Sequence, residues 1–139
     1  MANGWYNAGL NLFATKGCSW PADAIKAALL DTGTYTVDLV NHATLASIPA
    51  GSRIASVALA NKSVAGAGVL DADDATFPTV PAISATVEAI LIYLDGASDA
   101  VRIPLLYIDT LDTGVFSIQP NGGDFFITWD NGANKIAKL

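Results

Sequence analysis

The chain has 139 residues and a formal charge of −6, and it is 52% hydrophobic but only 14% charged. That length suits one domain. Seven lysines and arginines against thirteen acidic residues leave no basic stripe for phosphates, which argues against direct nucleic-acid binding. No apolar run approaches the roughly 18 residues of a membrane span. A domain this small cannot hide so much apolar surface, so part of it is expected against other subunits.

The first apolar group, Trp5, Tyr6, Leu10, Leu12 and Phe13, falls in residues 3–15 and reads as a short helix or extended arm ended by Lys16-Gly17. Residues 1–20 as a whole are expected to form an N-terminal arm, and those five side chains to be a partner interface. Residues 24–30 read as a buried strand, closed by Asp31-Thr32-Gly33 and followed by a strand-like 35–37. Residues 41–48 read as a short helix or turn that packs Leu45 and Ile48 inward and stops at Pro49.

From Arg53 the pattern alternates like a strand, with a turn at Asn61-Lys62 and a return strand over 63–70. Gly66 and Gly68 in that return strand point to a bulge or a close backbone approach. The strongest strand signal is 83–94, with 101–108 as its antiparallel partner; Pro104 must then sit at a bulge, an end or an edge. Residues 115–118 and 125–129 read as a final hairpin across Asn121-Gly122-Gly123, followed by a turn at Asn131-Gly132 and a strand over 135–137. The whole reads as a single mainly-β domain spanning 1–139, an antiparallel β-sandwich or barrel-like fold. Glu88 is its one glutamate, and an acidic complement made otherwise of aspartate suits turns and not a helical bundle.

Few residues offer chemistry. Cys18 is the one cysteine and His42 the one histidine, so an internal disulfide and a multi-histidine or multi-thiolate metal site are both excluded. No G-x-S-x-G elbow presents a nucleophile to His42. Glu88 lies mid-strand and reads as a solvated or paired charge. Asp71, Asp73 and Asp74 form the densest acidic cluster and are the candidates for a calcium site. They lack the glycine and terminal glutamate of an EF-hand loop, and the plainer role is an Asp-rich turn that accepts backbone N–H groups. No cofactor motif appears. The N-terminus lacks a basic region and a long apolar stretch, so no secretory signal is expected.

Several segments share an order with a known group. The run Ile25-Lys26-Ala27-Ala28-Leu29-Leu30-Asp31 is followed by Thr34-Tyr35-Thr36-Val37-Asp38 and by His42 near Leu45. Then come Asp71-Ala72-Asp73-Asp74 before Thr76-Phe77-Pro78, and a hairpin-like 85–108. A glycine-rich turn, Gly122-Gly123-Asp124, leads to Trp129-Asp130, Gly132 and Ile136. This pattern, over nearly the whole chain, resembles a family of small virion structural proteins of tailed bacteriophages. The resemblance implies a protein that builds or decorates the virion, and it implies no catalytic residues.

Three functions follow as expectations. The first is a capsid decoration, or cement, protein that binds between major capsid subunits on the capsid surface after synthesis in the host cytoplasm. A closed homo-oligomer such as a trimer suits that role. The second is a structural protein of the tail, neck or fibre attachment. The third is a virion-borne glycan-binding module or enzyme, with Trp5, Trp20, Trp129 and the aspartate cluster lining its site.

Overall fold

The computed structural model describes residues 3–133 and 135–139. The chain begins with β1 (Gly4–Trp5), α1 (Asn7–Ala14), β2 (Ile25–Leu30) and β3 (Arg53–Ala58). It continues through β4 (Ser63–Ala65), β5 (Val69–Asp71), β6 (Ala75–Phe77), β7 (Ala89–Leu94) and β8 (Ile103–Ile108). It ends with β9 (Thr110–Leu111), β10 (Gly114–Val115), β11 (Phe125–Ile127) and β12 (Ala137–Lys138). Five strands form the main sheet in the order β1-β8-β7-β2-β3, every neighbour antiparallel.

The apolar runs of β2 and β7 follow from burial on both faces of this sheet. Successive strand residues point to opposite faces. Ile25, Ala27, Leu29, Ile90 and Ile92 enter one core. Ala28, Leu30, Ala89, Leu91 and Tyr93 enter a second. A strand covered on both faces needs apolar residues at every position, and so loses the alternation of a half-exposed strand. The two-faced sheet uses internally much of the apolar composition that the sequence seemed to reserve for partners.

The first core is closed by two smaller sheets, β11-β6 and β12-β5-β4, which supply Leu70, Phe77 and Ile127. This is a sandwich-like arrangement of antiparallel sheets, with no closed barrel among the described residues. The second core is closed by residues 31–52, through Tyr35, Leu45 and Ile48. Leu45 and Ile48 do point inward, and the short helix or turn expected over 41–48 is a 3₁₀ turn, Leu45–Ser47, followed by another at Ala50–Ser52. Residues 35–37 form no strand. They are drawn into the core by the Tyr35 side chain rather than by a ladder.

The described part of the expected N-terminal arm, from residue 3 on, packs on the main sheet, and residues 1 and 2 lie outside the described residues. β1 pairs with β8 through Gly4–Tyr107 and Trp5–Leu106, and the Tyr6 N–H extends the ladder to the Leu105 carbonyl at 2.9 Å. α1 has no charged capping residues and no side-chain cap. Eight residues are too few for an isolated helix, so packing on β8 holds it there. Lys16, at φ 60°, takes the left-handed position after the helix, and the Gly17 N–H returns to the Leu12 carbonyl at 2.7 Å.

Pro104 lies at a bulge, as its missing N–H requires. The register passes from Ile92↔Leu106 to Tyr93↔Pro104, leaving Leu105 as the extra residue. Leu105 and Leu106 consequently both enter the first core. The expected strand over 83–94 is regular only from Ala89. The expected return strand over 63–70 is itself a hairpin, β4 to β5, turning through Ala67 and Gly68 at positive φ.

The final hairpin is the main correction. Residues 115–118 do not pair with β11. Instead β11 pairs with β6 through Phe125↔Phe77, Phe126↔Thr76 and Ile127↔Ala75. The pairing continues irregularly. The Asp124 carboxylate takes the Thr79 N–H at 2.9 Å. Val80 bonds Gly122 and Gly123, the Gln119 amide reaches the Ile83 carbonyl, and Val87 and Ile118 exchange two bonds. Residues 75–87 and 118–127 thus run as one long antiparallel ribbon. Similarly, β12 pairs with β5 and not with β11.

The turn chemistry at Asn121-Gly122 survives this change of partners. Gly122 has φ 87°, and the Asn121 side chain accepts the Gly123 N–H at 3.0 Å. A Cβ at Gly122 would meet nothing within 4 Å, so any cost is backbone strain alone. Gly122→Val is expected to cost about 1–3 kcal/mol, read as a lower urea midpoint with an unchanged slope. An unchanged midpoint would rule out strain at that position.

Candidate functional site

The reactive side chains are buried or engaged in structural hydrogen bonds. Cys18 is buried, and burial, then the charge of Asp23, pushes its thiol up to about 11. A reactive thiol needs the opposite shift. His42 Nδ1 lies 2.8 Å from the Tyr35 hydroxyl, which lies 2.8 Å from the Tyr6 hydroxyl. Burial, then the bond to Tyr35, holds the Tyr6 phenol well above its usual range. This chain of hydroxyls satisfies polar atoms inside the second core. Glu88 accepts the hydroxyls of Thr32 and Thr86, and these bonds hold its carboxyl below the usual range.

The aspartate cluster is also divided among structural tasks. Asp71 accepts the Ala72 N–H on its carboxylate and the Trp20 indole N–H on its carbonyl. Asp73 takes the Asn61 amide at 2.6 Å on its carboxylate and the Trp129 indole N–H on its carbonyl. Asp74 accepts the Trp129 backbone N–H at 2.9 Å. These bonds fix the two buried tryptophans against the first core. No group of three or more His, Cys, Asp or Glu among the described residues is placed to hold a metal ion.

The five residues expected at a partner interface have separate fates. Tyr6 is 0% exposed and belongs to the second core. Trp5, Leu12 and Phe13 are half-buried against the first core, with Trp5 and Phe13 edge to face at 5.9 Å. Leu10 alone of the five is exposed, at 41%.

Larger apolar exposure lies elsewhere. On the ribbon and the β9–β10 hairpin, Ile83, Leu111, Val115, Ile118 and Phe126 all face solvent, Val115 at 80% and Phe126 at 68%. Phe125 and Phe126 show how this arises. Adjacent strand residues face opposite ways, so Phe125 packs edge to face with Phe77 at 6.3 Å while Phe126 must point outward. Two consecutive phenylalanines in a short strand were the available signal. It was masked by reading the strand as part of a symmetric core hairpin.

The opposite end of the main sheet carries an ion network. Arg53 makes two bonds to Asp99, at 3.1 and 2.6 Å. Arg102 bonds Asp99 and Asp95, each at 2.9 Å, and Lys26 reaches Asp95 at 3.2 Å. The network ties the β7–β8 connection to β2 and β3. The bonds from Arg53 and Arg102 hold the Asp99 carboxyl down at about 2. A depressed carboxyl adds stability above its unfolded pKa near ~4 and loses it as pH falls through the folded value. The chain should therefore lose stability between about pH 4 and 2, and Asp99→Asn should flatten that part of the curve. Identical acid titrations for the two proteins, followed by near-UV circular dichroism, would contradict this. Asp99 is partly exposed, so the effect should shrink in high salt.

No protein-family model matches the chain, and no curated protein matches it. Among the described residues no helix is long and apolar enough to cross a membrane.

Proposed function

We propose that this chain is a structural protein of a bacteriophage virion, a decoration protein that binds between major capsid subunits on the capsid surface and stabilises the shell. The observation that carries this reading is the exposed apolar set Ile83, Leu111, Val115, Ile118 and Phe126, gathered on the ribbon and the adjoining hairpin. Apolar side chains exposed along one ribbon and its neighbouring hairpin favour association. The burial of Cys18 and the hydrogen bonds of His42 and Glu88 add support, as does the order of sequence segments that resembles small virion proteins. Binding that prefers the assembled shell stabilises it by mass action, without chemistry.

The test is particle occupancy. Phe126→Asp changes an outward side chain and should leave the fold intact while sharply lowering the copies retained per particle. Particles lacking the protein should release DNA at a lower temperature. Full occupancy by the variant would remove the ribbon from the interface. A copy number of about a dozen or fewer, as symmetry at a single vertex would dictate, would move the assignment to the tail, neck or fibre attachment.

A further inference from the structure

A cleft of about 620 Å³ opens between the first-core face of the main sheet and the C-terminal segment. Its size falls in the range of small-molecule sites, roughly 300–1,000 Å³. Ile90, Leu106, Ile108 and Ile127 line it from the main sheet and β11. Trp5 and Trp129 line it as well, brought there by β1 at one end of the chain and by the residues after β11 at the other. Trp20, the third tryptophan, is not among the lining residues.

The polar lining is balanced in charge. Asp112 and Asp130 contribute two negative charges, Lys135 and Lys138 two positive ones, and Lys135 also lies 3.9 Å from the Asp71 carboxylate. An anion would meet both carboxylates and a cation both ammonium groups. A wholly apolar ligand would strip water from four charged side chains with no hydrogen bonds in return.

The open valences have both senses. Asp112, Thr113 and Thr128 line the cleft and bond no other described residue, and Asp130 spends one oxygen on the Gly132 N–H at 3.0 Å. The indole N–H of Trp129 is committed to the Asp73 carbonyl and the residue is only 7% exposed, so it backs the cleft while the half-buried Trp5 offers the accessible ring. The Trp5 indole N–H has no acceptor among the described residues and is free to donate. Aromatic surface beside carboxylates and hydroxyls suits a ligand with an apolar C–H face and a ring of hydroxyls.

We propose that this cleft binds a neutral saccharide. Its hydroxyls donate to Asp112 and Asp130 and accept from Thr113, Thr128 and the Trp5 indole, and its C–H face packs on tryptophan. The cleft adjoins the ribbon and the β9–β10 hairpin, sharing Ile127 and Leu111 with them, but its occupancy does not depend on a capsid.

The experiment titrates the full-length isolated chain with a panel of neutral mono- and oligosaccharides based on glucose, galactose, mannose and N-acetylglucosamine. Sialylated and sulfated sugars are run beside them, with calorimetry and tryptophan emission as readouts. Saturable binding of a neutral sugar is expected. Asp112→Ala and Thr128→Ala alter exposed side chains and should each weaken it about tenfold or more while leaving the melting temperature unchanged. Three outcomes would overturn the proposal: no neutral sugar bound at about 10 mM, a consistent preference for the acidic sugars, or affinity unaffected by both substitutions.

Discussion

Gly9→Ala is expected to destabilise the protein, although alanine is the better helix former by about 1 kcal/mol. Gly9 lies in the first turn of α1, where the helix rests directly on β8. A Cβ there would stand 2.7 Å from the Leu105 Cα and 3.0 Å from its carbonyl oxygen. Both are backbone atoms of a strand held on two sides, so they cannot turn aside as a side-chain tip would. The helix must lift, and Leu12 and Phe13 lift with it from the first core. Overpacking of this kind costs about 1–3 kcal/mol, occasionally more. The clash outweighs the propensity gain, and the melting temperature should fall by several degrees. Gly51→Ala is the control. Its added methyl meets nothing within 4 Å, and reduced freedom of the unfolded chain should make it neutral or slightly stabilising. A Gly9→Ala protein as stable as its parent would mean that α1 does not rest on β8.

Tyr6→Ala should have the larger effect. The side chain is 0% exposed in the second core, among Tyr35, Leu45, Tyr93 and Tyr107. Removing a buried aromatic ring costs about 3–5 kcal/mol, a large part of the roughly 5–15 kcal/mol that holds a typical domain folded. It also deprives the Tyr35 hydroxyl of one partner. Tyr6→Phe keeps the ring and loses only that bond, and should cost about 1 kcal/mol. If residues before α1 served an external partner, Tyr6→Ala would leave the isolated domain unchanged and affect assembly alone. Denaturant unfolding of the isolated chain separates the two cases.

The sequence was most legible where information is local. β2, β7 and β8 are apolar runs of strand length bounded by turn residues, and the connection between β7 and β8 is short enough to fix their pairing. Pro104 and Gly122 were legible for the same reason, since a missing N–H or a positive φ constrains the residue itself. The partners of the later strands were not legible. β11 has the same composition whether it meets residues 115–118 or residues 75–77, and only the closure of the first core decides between them.

The N-terminal residues show the same ambiguity in another form. Their hydrophobicity says that they must be covered but not by what, and β8 covers them within the same chain. The aspartate cluster was read best by its plainer role. Asp71 accepts the N–H of the next residue, as short carboxylates do in turns, whereas Asp74 accepts that of the distant Trp129.

The strand order has a consequence for how the chain comes to be folded. Gly4 and Trp5 lie beside Tyr107 and Leu106, so the first strand finds its neighbour only after some hundred further residues exist. During synthesis, at about 5–20 residues per second, the N-terminal segment must wait with Trp5, Tyr6 and Phe13 uncovered for several seconds. Docking of β1 and α1 is therefore a late event, bound to follow formation of the β7–β8 hairpin. A chain stalled before residue 103 would present those aromatic side chains to chaperones or to other nascent chains. The vulnerable interval in the life of this protein is on the ribosome, before β8 has emerged.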